Sequence, residues 1–200
     1  MTTAPPRLHA VTNDAVLDLP DFPQRAQALT QAAAIAIHLR AHGWGGRRLA
    51  DLARALIDRG CTVFVNDRAD VACAVGAAGL HLPAAGLPVP EARRITGEHL
   101  LVGRSTHTPT EARDTAGQGA DYVFLGPVWQ TTSHPDRPAL GLDAIASAAP
   151  ARVVAIGGVT PERVADCAAR GAYGVAAISA LWYADDPGSV ARQMELLLGG

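Results

Sequence analysis

Hydrogen-bonding and cationic side chains follow the ends of short apolar runs along this sequence. Thr131, Thr132, Ser133 and His134 stand side by side behind the apolar run Tyr122–Gly126. Other runs end close to further residues of this kind: His38, Arg40, His42, Asn66, His81, Ser105 and His107. If the runs are parallel strands, their carboxyl ends meet at one edge, where α/β proteins bind their ligands. The pattern predicts a ligand site there, although a Thr-Thr-Ser loop considered alone is more often a solvated turn.

Two consecutive glycines, Gly157 and Gly158, follow the apolar run that begins at Val153. Glycines let a phosphate approach backbone N–H groups, and barrels often bind phosphate after their seventh and eighth strands, where Ser179 would supply the partner loop. A sharp turn is the alternative explanation, because glycine also adopts positive φ at no steric cost. The place of the pair near the end of the chain favours phosphate.

Strand-like and helix-like segments alternate through the whole sequence. Eight apolar runs have strand character: Leu8–Thr12, Ala34–Leu39, Cys61–Asn66, Gly79–Leu82, Leu100–Ser105, Tyr122–Gly126, Val153–Gly157 and Gly174–Ser179. Segments of helical period separate and follow them: Phe22–Ala33, Arg47–Arg59, Ala69–Gly76, Pro88–Thr96, Pro109–Gln118, Leu142–Ala148, Pro161–Arg170 and Pro187–Leu198. Eight such units predict a (β/α)8 barrel rather than a doubly wound sheet. We predict one domain over residues 1–200, with residues 1–6 as a flexible tail.

Composition narrows the classes of protein that fit. All 17 cationic residues are arginine and the net charge is −2, so no basic patch indicates nucleic acid. The three cysteines lack metal spacing, which is typical of reduced thiols in a cytosolic protein. Met1–Pro6 is too polar for a signal sequence, and Gly171–Ala184 is too short for a membrane span. We expect a soluble, cytoplasmic protein without nucleic-acid or membrane partners, and the sequence leaves open whether it forms a homo-oligomer.

Three kinds of catalytic site are disfavoured. Asp67 follows a strand and could ligate Mg²⁺, but no second carboxylate is at hand, and capping of the next helix explains it equally well. Ser105 and His107 lack a third group and a nucleophile elbow, which argues against a serine hydrolase. A zinc site fails on spacing, since His38 and His42 would share a face only in a helix.

Seven segments, taken in chain order, resemble the thiamine phosphate synthase / TenI superfamily: Leu8–Thr12, Ile37–Arg40, Val65–Asp70, Gly79–Leu82, Gly103–His107, Asp121–His134 and Ala155–Thr160. The resemblance covers nearly the whole chain and implies a (β/α)8 barrel of thiamine biosynthesis. One branch of the superfamily joins a thiazole phosphate to a pyrimidine diphosphate with Mg²⁺. The TenI-like branch includes an enzyme that aromatises a carboxythiazole phosphate tautomer.

The chain departs from the synthase pattern on the diphosphate side. Where the synthase has Gln-x-Arg-x-Lys after strand two, this chain has His38, Arg40 and His42. Pro83–Gly86 replaces an acidic stretch after strand four, and Gln130–His134 lacks the lysine of the strand-six loop. Departure of a diphosphate needs preorganised cations and a ligated metal, so these changes favour the TenI-like branch. The thiazole-phosphate side is retained in Thr131, Thr132, Gly157, Gly158 and Ser179.

The resemblance therefore implies a thiazole tautomerase, an isomerase that acts on a thiazole phosphate. His107 would shuttle the proton, because histidine titrates near neutrality, and Arg40 would hold the substrate carboxylate. Additional binding residues would be His38, Asn66, His81 and Ser105, and no cofactor or metal is expected.

Two alternatives stay open. One is a thiamine phosphate synthase, a transferase whose rebuilt diphosphate site uses Arg40, Arg68 and Asp67, the last as the ligand of Mg²⁺. The other is a catalytically silent barrel that binds a thiazole or thiamine phosphate for regulation.

Overall fold

The computed structural model describes residues 4–131 and 137–199. Within them, eight parallel strands close into a barrel in chain order, and the last strand pairs with the first. The strands are β1 Leu8–Val11, β2 Ile35–Leu39, β3 Thr62–Asn66, β4 Gly79–Leu82, β5 Leu101–Thr106, β6 Tyr122–Leu125, β7 Val153–Ile156 and β8 Gly174–Ala177. Every predicted strand is present, so the predicted (β/α)8 barrel is confirmed.

Helices follow the strands and cover the barrel from outside. Those described are α1 Asp14–Leu17, α2 Phe22–Ala32, α3 Gly46–Ile57, α4 Ala69–Val75, α5 Val89–Thr96, α6 Pro109–Gly117, α7 Asp143–Ser147, α8 Pro161–Ala169, α9 Ser179–Trp182 and α10 Pro187–Leu197. The four-residue helices α1 and α9 were not predicted. None of the described helices is long and apolar enough to cross a lipid bilayer.

Aromatic rings fill the barrel interior, and glycines make room for them. A Cβ at Gly79 in β4 would lie 2.2 Å from the Phe64 ring, and one at Gly103 in β5 would lie 2.1 Å from the Tyr122 ring. A larger residue at either position would displace the ring. The same layer holds one more phenylalanine and three histidines: Phe124, His9, His38 and His81. Such pairing of large and small residues is how small barrels fill their interior.

A second apolar layer joins the strands to the helices. In β2, Ile37 and Leu39 are fully buried in this layer, while Ala36 packs inside the barrel. Trp182 of α9 is also fully buried, and its indole Nε1 donates to the Val11 carbonyl at 2.9 Å. This bond ties the last helical turn before α10 to the first strand.

The chain ahead of β1 is packed at Pro5. This proline is buried, and its carbonyl accepts a hydrogen bond from the Tyr173 hydroxyl. Residues 1–3 lie outside the described residues, so the flexible tail stays a prediction.

Candidate functional site

A cavity of about 700 Å³ opens at the carboxyl ends of the strands. Parallel strands end at the same rim, and this brings together predicted site residues from seven of the eight strand ends. Those that line the cavity are Arg40, Asn66, His81, Ser105, His107, Thr131, Gly157, Gly158 and Ser179. Thr132 and His134 lie outside the described residues.

The described part of the cavity wall carries cations and no carboxylate. Arg40 follows β2, and Arg163 lies in the first turn of α8, after β7. Neither arginine forms an ion pair with a described residue. A concave pocket lined by one sign of charge concentrates ligands of the opposite sign. The cavity therefore suits anionic ligands.

His107 is oriented by the start of α6. Thr108 is the N-cap residue of α6, and its Oγ1 accepts from Glu111 N at 3.1 Å. The Glu111 carboxylate also accepts from His107 N at 2.7 Å. His107 Nδ1 lies 2.9 Å from the Gly126 carbonyl oxygen, which can only accept, so Nδ1 carries the proton. A neutral His107 therefore keeps a lone pair on Nε2 for a ligand in the cavity.

The Gly157–Gly158 turn has the backbone that an anion site requires. The φ angles are +94° and +69°, which favour glycine. A Cβ would lie 2.6 Å from Pro127 Cα at the first position and 2.8 Å from Trp129 Cβ at the second. The two amide N–H groups donate to no carbonyl among the described loop and turn contacts, so they remain available to an anion.

His38 is a described candidate that the structure does not bring to the cavity wall. Its ring is fully buried inside the barrel. His38 Nδ1 lies 3.4 Å from Asn66 Oδ1, and His38 Nε2 lies 2.8 Å from His9 Nδ1. An amide oxygen only accepts, so His38 donates to Asn66 and accepts from His9. His38 thus orients the Asn66 amide, which does line the cavity, while its own ring does not line the wall.

Burial keeps the interior histidines neutral. It lowers the pKa of His9 to about 3 and, helped by the charges of His9 and Arg40, lowers the pKa of His81 to about 3. The pKa of His38 is lowered well below its ordinary value, by burial first and by the other two histidines second. No charge is therefore added to the barrel interior beneath the cavity at neutral pH.

His81 links the interior to the cavity wall. Its Nδ1 lies 3.1 Å from the Tyr122 hydroxyl, and its Nε2 lies 2.9 Å from Ser105 Oγ. Both hydroxyls can donate or accept, so either neutral tautomer of His81 is satisfied. The contact holds the Ser105 hydroxyl in place beside the ligand space.

Two other polar residues at the strand ends lie outside the cavity. Arg68 pairs with Asp70 at 2.5 Å and lines a shallow outer groove between α3 and α4. His42 is exposed, and its Nδ1 lies 3.2 Å from the Asp14 carboxylate. The rebuilt diphosphate site with Arg68 that the synthase alternative invoked is therefore not formed.

The described residues do not fit the magnesium site that the synthase branch implies. No group of three or more His, Cys, Asp or Glu side chains is placed to hold a metal in the described ranges. Asp67 is exposed, has φ +64°, and does not line the cavity. A side chain at Gly86 is obstructed, because its Cβ would lie 2.7 Å from the Pro83 ring. One exposed carboxylate is too few for a cation that prefers several oxygen ligands.

The capping explanation of Asp67 is not supported either. The N-cap residue of α4 is Arg68, and no side chain there makes a capping hydrogen bond. The Asp67 amide instead donates to the His81 carbonyl at 2.9 Å. The residue turns the chain from β3 towards α4 in a left-handed conformation that aspartate tolerates better than most residues.

Comparison with known proteins decides the family. The family model described as thiamine monophosphate synthase matches residues 8–181. The chain belongs to this family. The thiamine-phosphate synthase of Methanoculleus marisnigri is 40% identical over 94% of this chain and 92% of its own length. The structure of thiamine phosphate pyrophosphorylase from Pyrococcus furiosus matches with a TM-score of 0.85 and 26% identity, over 98% of this chain and 96% of that one.

Other relatives are longer than this chain. The thiamine-phosphate synthase of Synechococcus sp. (strain WH7803) is 38% identical over 88% of this chain and 52% of its own length. That of Anaeromyxobacter dehalogenans is 47% identical over 66% of this chain and 62% of its own length. The chain thus spans about half to three fifths of the length of these two relatives.

The comparisons correct the predicted function. The superfamily resemblance is confirmed, but the relatives are named as synthases, which are transferases. The predicted thiazole tautomerase, an isomerase, is therefore wrong, and the synthase alternative agrees better. The inference relied on changed positions after β2, after β4 and in the loop after β6, and counted His38 and His42 among the lost diphosphate ligands. In the structure the first lies inside the barrel and the second is paired on the exposed rim.

Arg163 is the cavity residue that sequence reasoning missed. In the sequence, Thr160-Pro161 before Glu162 and Arg163 indicates only the start of a helix. A second signal was the charge of Arg163, because the positive end of the helix dipole disfavours a cation in the first turn. An arginine at this position, shortly after a Gly-Gly turn, therefore favours a negative charge nearby.

Proposed function

We propose that this protein is a thiamine phosphate synthase, which joins a thiazole phosphate to hydroxymethylpyrimidine diphosphate and releases diphosphate. One observation carries the proposal. In a chain whose relatives are named synthases, the cavity at the strand ends has an arginine on each of two separated sides and no described carboxylate. Two anionic substrates that must meet in one pocket fit this distribution of charge. A cavity of about 700 Å³ also lies in the range of sites for ligands of this size.

The Gly157–Gly158 turn and Ser179 are suited to the phosphate of the thiazole. The two glycine amides are available, and Ser179 at the start of α9 lines the same part of the wall. Backbone N–H groups bind phosphate without a rearrangement of side chains. Binding there would fix one substrate by the end that does not react.

Arg40 is suited to the diphosphate of the other substrate. Its backbone is held by Thr12, whose Oγ1 accepts from Arg40 N at 2.9 Å and lies 3.1 Å from the Arg40 carbonyl oxygen. The reaction forms a bond from the thiazole nitrogen to the pyrimidine methylene carbon, while the bond from that carbon to the diphosphate oxygen breaks. Negative charge grows on the departing diphosphate, and a preorganised guanidinium stabilises it.

Asn66, His81 and Ser105 complete the wall near Arg40 with neutral groups. Asn66 accepts from His38, so its amide N–H bonds remain for a ligand, and the Ser105 hydroxyl is held by His81. Uncharged donors in fixed positions orient a heterocycle such as the pyrimidine without competing for its diphosphate.

Growth tests the proposal in cells. A bacterial strain that lacks its own synthase should grow without thiamine when it expresses this chain, and should not when the chain carries Arg40→Gln. The exposed residue Arg192 offers a matched control, since Arg192→Gln removes a charge that does not line the cavity. Failure of the wild-type chain to restore growth, despite soluble expression, would count against the synthase and favour the silent phosphate-binding barrel.

A further inference from the structure

We propose that Arg163 binds the phosphate of the thiazole substrate together with the Gly157–Gly158 turn, so that each anionic substrate meets its own arginine. The inference rests on the proposed function and extends it to a residue that the sequence motifs did not include. Arg163 would thereby help the protein to select a phosphorylated thiazole over the corresponding alcohol.

Two contacts hold the Arg163 side chain against the glycine turn. Nη1 donates to the Gly158 carbonyl at 2.5 Å, and the guanidinium carbon lies 4.9 Å from the centre of the Trp129 ring. Stacking on an aromatic face and a hydrogen bond to backbone fix the plane of a guanidinium. Of its five N–H donors, one is used by Gly158, and the others remain for an anion beside the turn.

Arg163 forms no ion pair with a described carboxylate. Within the described ranges, six other arginines form ion pairs: Arg25, Arg54, Arg68, Arg93, Arg94 and Arg170. Glu162 is next to Arg163 in sequence, but it is exposed and makes no ion pair with it. Arg163 is only partly exposed and stands at the positive end of α8, where a cation is disfavoured. A bound phosphate would remove this unfavourable arrangement.

Arg40 and Arg163 lie at separate positions around the rim. Strands β2 and β7 are separated by β1 and β8 in the closed barrel. An arginine after each of them gives the cavity two cationic ends, one beside the Gly157–Gly158 turn and one beside Asn66 and His81. This separation predicts that loss of either arginine affects mainly one of the two substrates.

Binding selectivity tests Arg163 without requiring turnover. Calorimetry would compare thiazole phosphate with the unphosphorylated thiazole alcohol on wild type, Arg163→Gln, Arg163→Lys and the exposed control Arg192→Gln. A charge-assisted hydrogen bond makes the expected loss of affinity for thiazole phosphate about 10- to 100-fold in Arg163→Gln, with affinity for the alcohol nearly unchanged. Arg163→Lys should recover part of the loss, and Arg192→Gln should match wild type.

Two outcomes would overturn the inference. One is an Arg163→Gln protein with wild-type preference for the phosphate over the alcohol. The other is an equal loss for both ligands in the Gln and Lys variants, because that would show that Arg163 only supports the Gly158 turn. Circular dichroism of each variant verifies that it is folded. If the chain binds thiazole phosphate through Arg163 but makes no product, the synthase proposal fails while this inference stands.

Kinetics add a second readout where turnover is measurable. Arg163→Gln should raise the KM for thiazole phosphate by about 10-fold or more and leave the KM for the pyrimidine diphosphate within about 3-fold of wild type. Arg40→Gln should show the reverse pattern. The same KM change for both substrates in both variants would contradict the assignment of one arginine to each.

Discussion

The three histidines inside the barrel make stability depend on pH. His9 and His81 have folded pKa values of about 3, against an ordinary value of 6.5. The unfolded chain therefore binds more protons than the folded chain between these two values, and stability falls as pH drops through 6.5 towards 3. Between pH 7.5 and 5.0, each of these two histidines lowers the free energy of unfolding by about 2 kcal/mol, which makes about 4 kcal/mol together. His38 acts in the same direction, because its pKa is also lowered.

A loss of this size is large against the total stability of a domain, which is about 5–15 kcal/mol. Urea unfolding followed by circular dichroism at pH 7.5 and 5.0 measures it directly. The range from pH 7.5 to 5.0 lies above the pH at which protonation of carboxylates lowers stability most. Asp70, for example, has a pKa lowered from 3.8 to about 2, so its contribution to stability is lost mainly below pH 4.

A matched pair of variants separates the buried histidines from the exposed ones. His9→Gln should reduce the loss between the two pH values by about 2 kcal/mol. His99 is exposed, and His99→Gln should leave the loss unchanged. A wild-type stability that stays within about 1 kcal/mol over this range would refute the argument that burial keeps the three rings neutral. So would a His9→Gln variant with the wild-type pH dependence.

Three more predictions concern the packing of Gly103, the hydrogen bond of Trp182 and the binding of magnesium. Gly103→Ala should destabilise the fold by about 1–3 kcal/mol in urea unfolding, because the added methyl group meets the Tyr122 ring; a neutral change would contradict the packing. Trp182→Phe should cost about 1–3 kcal/mol, since the buried Val11 carbonyl loses its donor, and should leave kcat at the wild-type value. Mg²⁺ titrated alone into the protein should give no saturable heat by calorimetry, and Asp67→Asn should behave the same; stoichiometric binding that the Asn variant loses would show a metal site.

The sequence was sufficient to predict the barrel because its strands are short apolar runs closed by glycine, proline or polar residues. Tyr122–Leu125, for example, ends at Gly126 and Pro127, where a strand ladder cannot continue. The two short helices, α1 and α9, were harder to predict from the sequence. Asn13 caps α1 by accepting from Val16 N, a signal that was available but not used. Ser179, the first residue of α9, was predicted as the last residue of the eighth strand.

The site was predictable in position but not in detail. Alternation in β2 could have placed His38 correctly, because Ile35, Ile37 and Leu39 face the helices and so His38 must face the interior with Ala36. The sequence shows which residues change at a motif position but not where their side chains point. For this reason the changed positions after β2 were given too much weight, and the wrong reaction was favoured.

Direct assay of bond formation tests the central claim. Purified protein would be incubated with thiazole phosphate and hydroxymethylpyrimidine diphosphate, and thiamine phosphate would be quantified by liquid chromatography and mass spectrometry beside released diphosphate. The synthase account predicts both products in equal amounts, with a rate that falls by about 10-fold or more in Arg40→Gln and is unchanged in Arg192→Gln. Formation of thiamine phosphate no faster than in a protein-free control, by a folded protein that binds both substrates, would contradict the account.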